Sequence, residues 1–395
     1  MPSPINCYNS FGSYNLCSIS SPTVLDPKVL TFYDMGPTNL LAKDPRKREN
    51  FITARIGEAT LTSGPIGPHC MVRHNAPALL FSVTGFLCTN FFHAFNDGFI
   101  HLFITVNSVF SVDQDWVLVI STSCDWWIYK YKDLLQRFSK HRIMIVNNNT
   151  ATHCFPSAIV GLLSQGLMTI NPKLMPHSQT LRHFHALLEQ TYGKKLNNRA
   201  TTSISPISPS QRYRPRLVLA TRSNHSKGRV ILNQAELRKV AEEEGFEVIE
   251  LEPKLRTPLS EVYELVSSSH VLVGVHGAGL THLLFLRPGS VVVQVLPIGL
   301  GWLGGLCFGK PANELGLEYM EYEIGVEESS LREKYGKDDL VIKDPLVLQW
   351  KAKVWSKELM DIYLVEQNVM LDMVRFRGYL KKAYEKARVF MEKEG

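Results

Sequence analysis

The chain has 395 residues, 45% of them hydrophobic, and a formal net charge of +6 from 43 basic and 37 acidic residues. At roughly 150 residues per domain, this length predicts two domains or slightly more. The mild basic excess suits an anionic small ligand, but it falls short of the dense basic patch of a nucleic-acid binder. No run of about 18 apolar residues occurs, and the first residues do not resemble a signal peptide. We therefore expect no nucleic-acid partner, and contact with a membrane only through an anchor absent from this sequence.

The first half of the chain predicts an α/β domain behind an irregular lead-in. Residues 1–75 are rich in Pro, Ser, Gly and Asn and show no clear period, so we expect irregular structure there. From 76 to 196, buried strands alternate with amphipathic helices, which favours a mostly parallel sheet. The expected strands are 79–83, 116–120, 143–146 and 158–164, and the expected helices are 91–106, 126–138 and 180–192.

A polar segment at 197–213 has the composition of a linker, and a second alternation of strands and helices follows it at 214–345. This run is typical of one half of a doubly wound fold, which binds ligands beyond the carboxyl ends of its strands. The last segment, 346–395, is expected to be helical. The expected strands of the second alternation are 217–220, 247–251, 271–275 and 291–295.

The strongest local signal is the glycine-rich turn that follows strand 271–275 and leads into a short helix. Backbone N–H groups at a helix start attract an anion, and glycines let the backbone approach a diphosphate closely. A tight turn with a structural histidine is the alternative, since the turn is neither a GxGxxG nor a Walker P-loop. The residues of this turn are His276, Gly277, Ala278, Gly279 and Leu280.

Two further groups of polar residues are candidates for chemistry. Arg222 and Arg229 follow strand 217–220 and suit bidentate contacts with phosphate, although solvated loop arginines are the alternative. His93 and Asp97 are four residues apart on one helix face, which His101 continues. A carboxylate beside an imidazole can remove a proton from a sugar hydroxyl, whereas a capping or ion pair is the structural alternative.

Other functional classes have less support. The D-x-D at 113–115 precedes a strand instead of following one, so we expect no metal site there. The His276 turn also resembles the oxyanion motif of esterases, but the chain contains no G-x-S-x-G nucleophile elbow. A catalytically silent binding protein stays open as an alternative. The seven cysteines form no CxxC pair; Cys17 and Cys70 could be bridged in an oxidising compartment, or all seven could be free thiols.

These segments together resemble the plant family-61 glycosyltransferases, which include xylan xylosyl- and arabinosyltransferases. The resemblance runs from about residue 17 to residue 387 and is more specific than any single motif. The family-like stretches are 90–98, 152–158, 275–297, 328–331 and 375–377.

The resemblance implies a GT-B fold, in which two Rossmann-like domains face a cleft and the C-terminal helices pack back on the first domain. It implies inverting, metal-independent transfer of a pentose from UDP-xylose or UDP-arabinofuranose to xylan or an N-glycan, with no cofactor beyond the donor. It also implies a Golgi type II membrane protein. On this reading Asp97 or His93 is the general base, and the donor is held by Arg222, Arg229, the turn from His276 to Leu280, and Glu328.

Overall fold

The computed structural model describes residues 5–10, 15–36, 53–56, 58–63, 67–83, 85–109, 115–147, 149–193, 214–222, 228–252, 254, 256–346 and 356–394. The chain divides into two compact units, Met1–Thr180 and Leu181–Gly395. Both units combine helices with sheets, so the α/β class expected from the alternating pattern is confirmed. The predicted linker at 197–213 lies outside the described residues.

Twelve strands are described in the first unit. They are β1 (Ile5–Asn9), β2 (Asn15–Ile19), β3 (Thr23–Asp26), β4 (Thr31–Asp34), β5 (Thr53–Ile56), β6 (Ala59–Thr62), β7 (Val72–Arg73), β8 (Ala78–Phe81), β9 (Val117–Ile120), β10 (Met144–Ile145), β11 (His153–Phe155) and β12 (Ala158–Gly161). Its helical segments are Phe86–Thr89, Phe91–His93, Ala94–Ile100, His101–Val109, Asp125–Leu135, Pro172–Leu174 and Pro176–Ser178.

The strands of the first unit form two sheets of six described strands each. One has the order β1-β2-β12-β8-β9-β10, in which β12, β8, β9 and β10 run parallel to one another. The other has the order β5-β6-β4-β3-β11-β7. Buried residues of the two sheets pack in one apolar core, which includes Phe32, Leu61, Leu80 and Val119. The helix that carries His93 follows the carboxyl end of β8.

The expectation of an irregular lead-in at 1–75 is wrong. Seven strands, β1 to β7, come from this segment. They are only two to five residues long, so no hydrophobic period could develop. Their pairing also depends on distant partners: β2 pairs with β12, and β3 pairs with β11. Such long-range pairing leaves no local signal in the sequence.

Six of the seven cysteines form disulfides within the first unit: Cys7–Cys17, Cys70–Cys154 and Cys88–Cys124. The expected bridge between Cys17 and Cys70 is therefore wrong, and so is the alternative of seven free thiols. The antiparallel register of β1 and β2 places Cys7 directly opposite Cys17, which explains that pairing. Cys307 is free and buried. Three disulfides are consistent with an oxidising compartment such as the lumen of the secretory pathway.

The second unit is built on one all-parallel sheet. Its five strands lie in the order β14-β13-β15-β16-β17, and each of the expected strands is confirmed within a residue or two. The strands are β13 (Arg216–Ala220), β14 (Glu247–Leu251), β15 (Val271–Val275), β16 (Val291–Leu296) and β17 (Glu318–Glu323). The helical segments are Leu181–Tyr192, Gln234–Glu243, Leu259–Ser267, Ala278–Phe285, Gly301–Gly304, Gly305–Gly309, Lys310–Glu314, Val326–Glu328, Leu331–Lys334, Leu340–Lys343, Lys357–Asp361, Ile362–Glu366 and Met373–Glu394.

Two helices differ from their expected places. Leu181–Tyr192 was expected in the first domain, but it belongs to the second unit, where Tyr192 contacts the ring of Tyr263. The last helix, Met373–Glu394, was expected to pack back on the first domain. Its apolar stripe instead lies in the core of the second unit's own sheet, because a parallel sheet needs helices on both faces. No helix in the described part of the chain is long and apolar enough to cross a membrane.

Candidate functional site

The predicted anion-binding residues lie at the point of the parallel sheet where the order of successive strands reverses. The chain passes from β13 outward to β14 on one side and then to β15 on the other side of β13. β13 and β15 are neighbours in register, with Ala220 opposite Gly274. The loops that carry Arg222 and His276 therefore leave the same edge of the sheet side by side. Ligands of doubly wound folds bind at such a switch point.

The two arginines close around Gly277. A Cβ atom built on Gly277 would lie 2.8 Å from Nη2 of Arg222 and 2.8 Å from Nη1 of Arg229. Gly277 has φ of +149°, a conformation that favours glycine. Arg229 also donates from Nη1 to the carbonyl oxygen of His276 at 3.1 Å. Glycine is thus required here for both backbone conformation and space, and the guanidinium groups face the turn.

The charge of this cluster is uncompensated within the part of the chain that the structure describes, where no carboxylate pairs with Arg222 or Arg229. Burial, which removes solvent, and to a smaller extent the positive charge of the neighbouring Arg222 lower the pKa of Arg229 to about 9. Desolvation also lowers the pKa of Arg222. Half-buried cations without counter-ions are costly, so this pair is suited to an anion, and two guanidinium groups match the geometry of a diphosphate.

His276 lies beside these cations as a neutral imidazole. Its side chain is buried, and desolvation followed by Arg229 and Arg222 lowers its pKa to about 3. Its Nδ1 accepts a hydrogen bond of 2.8 Å from Nε2 of Gln294. Gln294 is not among the predicted site residues, although a glutamine inside the apolar strand VVVQVL is a signal that the sequence carries.

The rest of the turn forms the wall of the site. Ala278–Phe285 is a 3-10 helix. Leu280 is fully buried, its N–H donates to the carbonyl oxygen of Gly277 at 3.0 Å, and its side chain packs against Gly274. Leu280 therefore shapes the turn from the inside.

Glu328 lies in a network of its own. One carboxylate oxygen accepts from Tyr322 Oη at 2.5 Å and from the backbone N–H of Asp372 at 2.7 Å. The other accepts from the N–H of Gly325 at 2.7 Å and from Arg375. Both oxygens are thus occupied by groups that tie the end of β17 to the start of the last helix. In this structure Glu328 acts as an anchor, and its expected part in donor binding stays a prediction.

In the first unit, His93 and Asp97 form the expected pair. The helix changes from α to π geometry between them, at Ala94–Ile100, and π turns are frequent at functional sites. His93 Nδ1 lies 2.5 Å from Asp97 Oδ2. The side chain of His93 is 33% exposed and that of Asp97 14%, so the pair borders solvent. His101 is instead buried, and desolvation lowers its pKa to about 4, so it belongs to the interior.

Two of the three positions of the D-x-D motif, 113 and 114, lie outside the described residues. Within the described ranges, no group of three or more His, Cys, Asp or Glu side chains is placed to hold a metal ion.

A cavity of about 430 Å³ lies on the same edge of the sheet, at the carboxyl ends of β16 and β17. Val275 pairs with Val295, so His276, the first residue after β15, lies level with the cavity residue Leu296 at the end of β16. The walls combine the Trp302 ring with polar groups of Glu323 and Lys343. The cavity is therefore one strand away from the arginine pair.

The amino-acid sequence of this chain is similar to those of known proteins. The family model described as Glycosyltransferase 61 matches residues 91–293. A xylan glycosyltransferase of Arabidopsis thaliana is 39% identical over 324 residues, which cover 80% of this chain and 64% of that protein. An alpha-1,3-arabinosyltransferase of Oryza sativa subsp. japonica is 31% identical over 390 residues, covering 97% of this chain and 65% of that protein. A beta-1,2-xylosyltransferase of the same rice is 33% identical over 343 residues, which cover 86% of this chain and 70% of that protein.

The chain spans 64% and 65% of the length of the first two relatives. The matched region, 91–293, begins at the helix of His93 and Asp97 and includes Arg222, Arg229 and the His276 turn. The resemblance inferred from the sequence motifs is confirmed by these matches, which cover most of the chain. This chain belongs to glycosyltransferase family 61.

Proposed function

We propose that this protein is an inverting glycosyltransferase that transfers a pentose, xylose or arabinose, from a UDP-sugar to a cell-wall polysaccharide such as xylan. The observation that carries this proposal is the arginine pair around Gly277, which has no carboxylate partner among the described residues. On this proposal the two units are the acceptor and donor domains of a GT-B enzyme, and the second unit holds the donor.

The donor would be held by its diphosphate. Arg222, Arg229 and the N–H groups of the turn after β15 are preorganised positive groups at one edge of the sheet. When the bond between the sugar and UDP breaks, negative charge develops on the β-phosphate. Fixed donors aimed at that charge stabilise the transition state without reorganisation. The arginine pair would therefore serve binding and catalysis together, and the cavity beside Trp302 would take a part of the donor that adjoins the diphosphate.

The acceptor would be activated by His93. Because Nδ1 of His93 faces the Asp97 carboxylate, a proton taken up by the ring goes to Nε2. Asp97 would fix the ring orientation and stabilise the imidazolium that forms. His93 Nε2 would take the proton of an acceptor hydroxyl, whose oxygen attacks the anomeric carbon opposite the leaving UDP. One new glycosidic bond forms as the bond to UDP breaks, and this single displacement inverts the configuration.

The choice of a pentose and of xylan rests on the relatives. Their names are xylan glycosyltransferase, alpha-1,3-arabinosyltransferase and beta-1,2-xylosyltransferase, at 31–39% identity. A Golgi location fits the three disulfides of the first unit.

A donor and acceptor panel tests the proposal. UDP-xylose, UDP-arabinofuranose and UDP are scored for binding by ligand-observed NMR, and transfer is measured on xylan oligomers and on N-glycans. We expect one UDP-pentose to bind and to modify xylan oligomers. Binding of no UDP-sugar would favour a catalytically silent relative, and transfer only to N-glycans would replace the xylan assignment.

Two variants of the first unit test the base. We expect His93→Ala and Asp97→Asn to abolish transfer while UDP affinity stays within about twofold of the unmodified protein. Full transfer by both variants would refute the base assignment and leave the donor site untouched.

A further inference from the structure

Gln294 is a buried polar residue in a place where an apolar one would be expected. It lies in the middle of β16, whose six residues VVVQVL are all fully buried, and its own exposure is 0%. Burying a primary amide costs free energy unless its hydrogen bonds are made. A valine in this position would fit the strand as well as its neighbours do. The glutamine therefore needs an explanation other than stability.

Its hydrogen bonds give that explanation. Nε2 of Gln294 donates to Nδ1 of His276 at 2.8 Å, and Oε1 accepts from the hydroxyl of Tyr319 at 2.6 Å. Space for the amide depends on Gly304, because a Cβ atom there would lie 3.0 Å from Nε2 of Gln294. Strand β16, strand β17 and the helix at Gly304 thus meet around one amide. Among the described residues, the only hydrogen-bond partner of its nitrogen is the imidazole of His276.

We propose that Gln294 is a positioning residue that fixes the tautomer of His276, so that the imidazole proton resides on Nε2. A neutral imidazole has one N–H and one lone pair, and the partner of one nitrogen decides the state of the other. Since the amide N–H of Gln294 points at Nδ1, that nitrogen carries the lone pair. Nε2–H is then a donor, and within the described residues no protein group pairs with it.

This inference rests on the proposed function, in which the anion beside His276 is the donor diphosphate. A ring held in this tautomer always presents a donor to the phosphate oxygens, next to the guanidinium groups of Arg222 and Arg229. Without Gln294 the proton can sit on either nitrogen. Molecules with the proton on Nδ1 would then turn a lone pair towards the diphosphate, which repels it.

Tyr319 holds the other end of the amide. Its hydroxyl has a single hydrogen but lies near two acceptors, Gln294 Oε1 at 2.6 Å and Glu321 Oε1 at 2.7 Å. When the hydrogen goes to Gln294, the amide orientation is fixed. Removal of the hydroxyl in Tyr319→Phe frees the amide to rotate by half a turn, which would present Oε1 to His276 and favour a proton on Nδ1.

The tautomer can be observed directly. The whole chain is labelled with 15N-histidine, and the His276 signals are assigned by their loss in His276→Gln. We expect a protonated Nε2 and an unprotonated Nδ1 at neutral pH in the free protein. A proton on Nδ1 in the unmodified protein would mean that the amide is rotated, and would overturn the proposal. This readout does not depend on UDP binding, so it stays valid if the proposed function fails.

Affinity provides the second test. Gln294→Met keeps the length of the side chain and removes both hydrogen bonds. We expect it to weaken binding of UDP and of inorganic pyrophosphate about tenfold, to mix the two tautomers, and to leave the melting temperature unchanged or higher. The exposed Gln136→Met is the matched control and should change none of these. Unchanged affinity in a folded Gln294→Met would refute the proposal; if that variant does not fold, Tyr319→Phe must show the mixed tautomers and the weaker binding.

Discussion

The backbone N–H of Arg229 donates a hydrogen bond of 2.5 Å to the carbonyl oxygen of Gln367. This bond holds Arg229 in a left-handed conformation with φ of +57°, which is uncommon for a residue other than glycine. The preceding Gly228 packs so closely on Val365 that a Cβ atom would overlap the carbonyl of that residue. A segment near the C-terminus thus fixes the turn that presents the guanidinium group to Gly277.

The first prediction concerns this arginine. Arg229→Ala removes one of two cations from the anion site, and we expect UDP affinity to fall at least about tenfold, or roughly 1.4 kcal/mol. His276→Ala should have a similar effect. Isothermal titration calorimetry measures both. Arg238→Ala is the control, because Arg238 is an exposed arginine of the same unit that pairs with Glu242 and Glu250. Unchanged affinity in both site variants would remove the donor-site assignment.

The second prediction concerns Gly277. A methyl group at this position would meet both guanidinium groups at 2.8 Å and would have to adopt φ of +149°. We expect Gly277→Ala to lower the melting temperature and to weaken UDP binding by more than tenfold. Gly378→Ala is a suitable control, since its added methyl would meet no atom within 4 Å beyond its chain neighbours and its own helix backbone, and alanine favours the helix that contains it. Equal UDP affinities in the two variants would show that the arginines need no close approach to the turn.

The glycine-rich turn at His276 and the nearby arginines could be predicted because their signals are local. A run of apolar residues ends in a glycine-rich turn at His276, and Arg222 follows a strand end two residues after Ala220. Parallel strands bring their carboxyl ends to one edge of a sheet, so proximity follows from the class of fold. The pairing of His93 with Asp97 could also be predicted from the sequence, because residues four apart lie on one face of a helix.

The remaining features depend on pairs far apart in the chain. No pattern around Arg229 points to Gln367, and none around His276 points to Tyr319. The same holds for the lead-in strands, whose partners include β11 and β12. The last helix was misplaced for a related reason: its apolar stripe predicts a buried face but does not tell which sheet it covers.

The third prediction separates two roles of Glu328. If this carboxylate anchors the last helix, Glu328→Gln weakens its bonds with Arg375 and Tyr322 and lowers the melting temperature, while UDP affinity per folded molecule stays within twofold. If it binds the donor, affinity falls with little loss of stability. We expect the first result, because both oxygens are occupied. Differential scanning fluorimetry and calorimetry on the same samples decide between them.

The fourth prediction concerns the disulfide Cys88–Cys124. It ties the helix Phe86–Thr89, which precedes His93, to the start of the helix Asp125–Leu135. Disulfides typically contribute about 2–4 kcal/mol, and this one also restrains the helix that leads into His93 and Asp97, the proposed base pair. We expect the double variant Cys88→Ala/Cys124→Ala to lose stability and transfer rate, with unchanged UDP binding. The matched variant Cys7→Ala/Cys17→Ala, which removes the disulfide between the paired strands β1 and β2, should lose stability alone. Equal transfer rates in the two variants would exclude a role in holding His93.

The fifth prediction is a loss of stability in mild acid. His270 accepts a hydrogen bond on Nδ1 from the backbone N–H of Arg216. Desolvation, followed by Arg287 and Arg216, lowers the pKa of His270 to about 4 from its ordinary value of 6.5. Between these values the unfolded chain binds more protons than the folded chain, so the free energy of unfolding rises with pH across this window and is lost as pH falls.

For one such histidine the slope is at most about 1.4 kcal/mol per pH unit. His270→Asn keeps an acceptor for the Arg216 N–H but does not titrate, so its unfolding free energy should fall less steeply than that of the unmodified protein between pH 6.5 and pH 5. Urea unfolding at pH 7, 6 and 5 measures both slopes above the range in which most carboxylates titrate. Identical slopes would show that His270 can take up a proton in the folded protein, and that its contact with the Arg216 N–H is not maintained in solution.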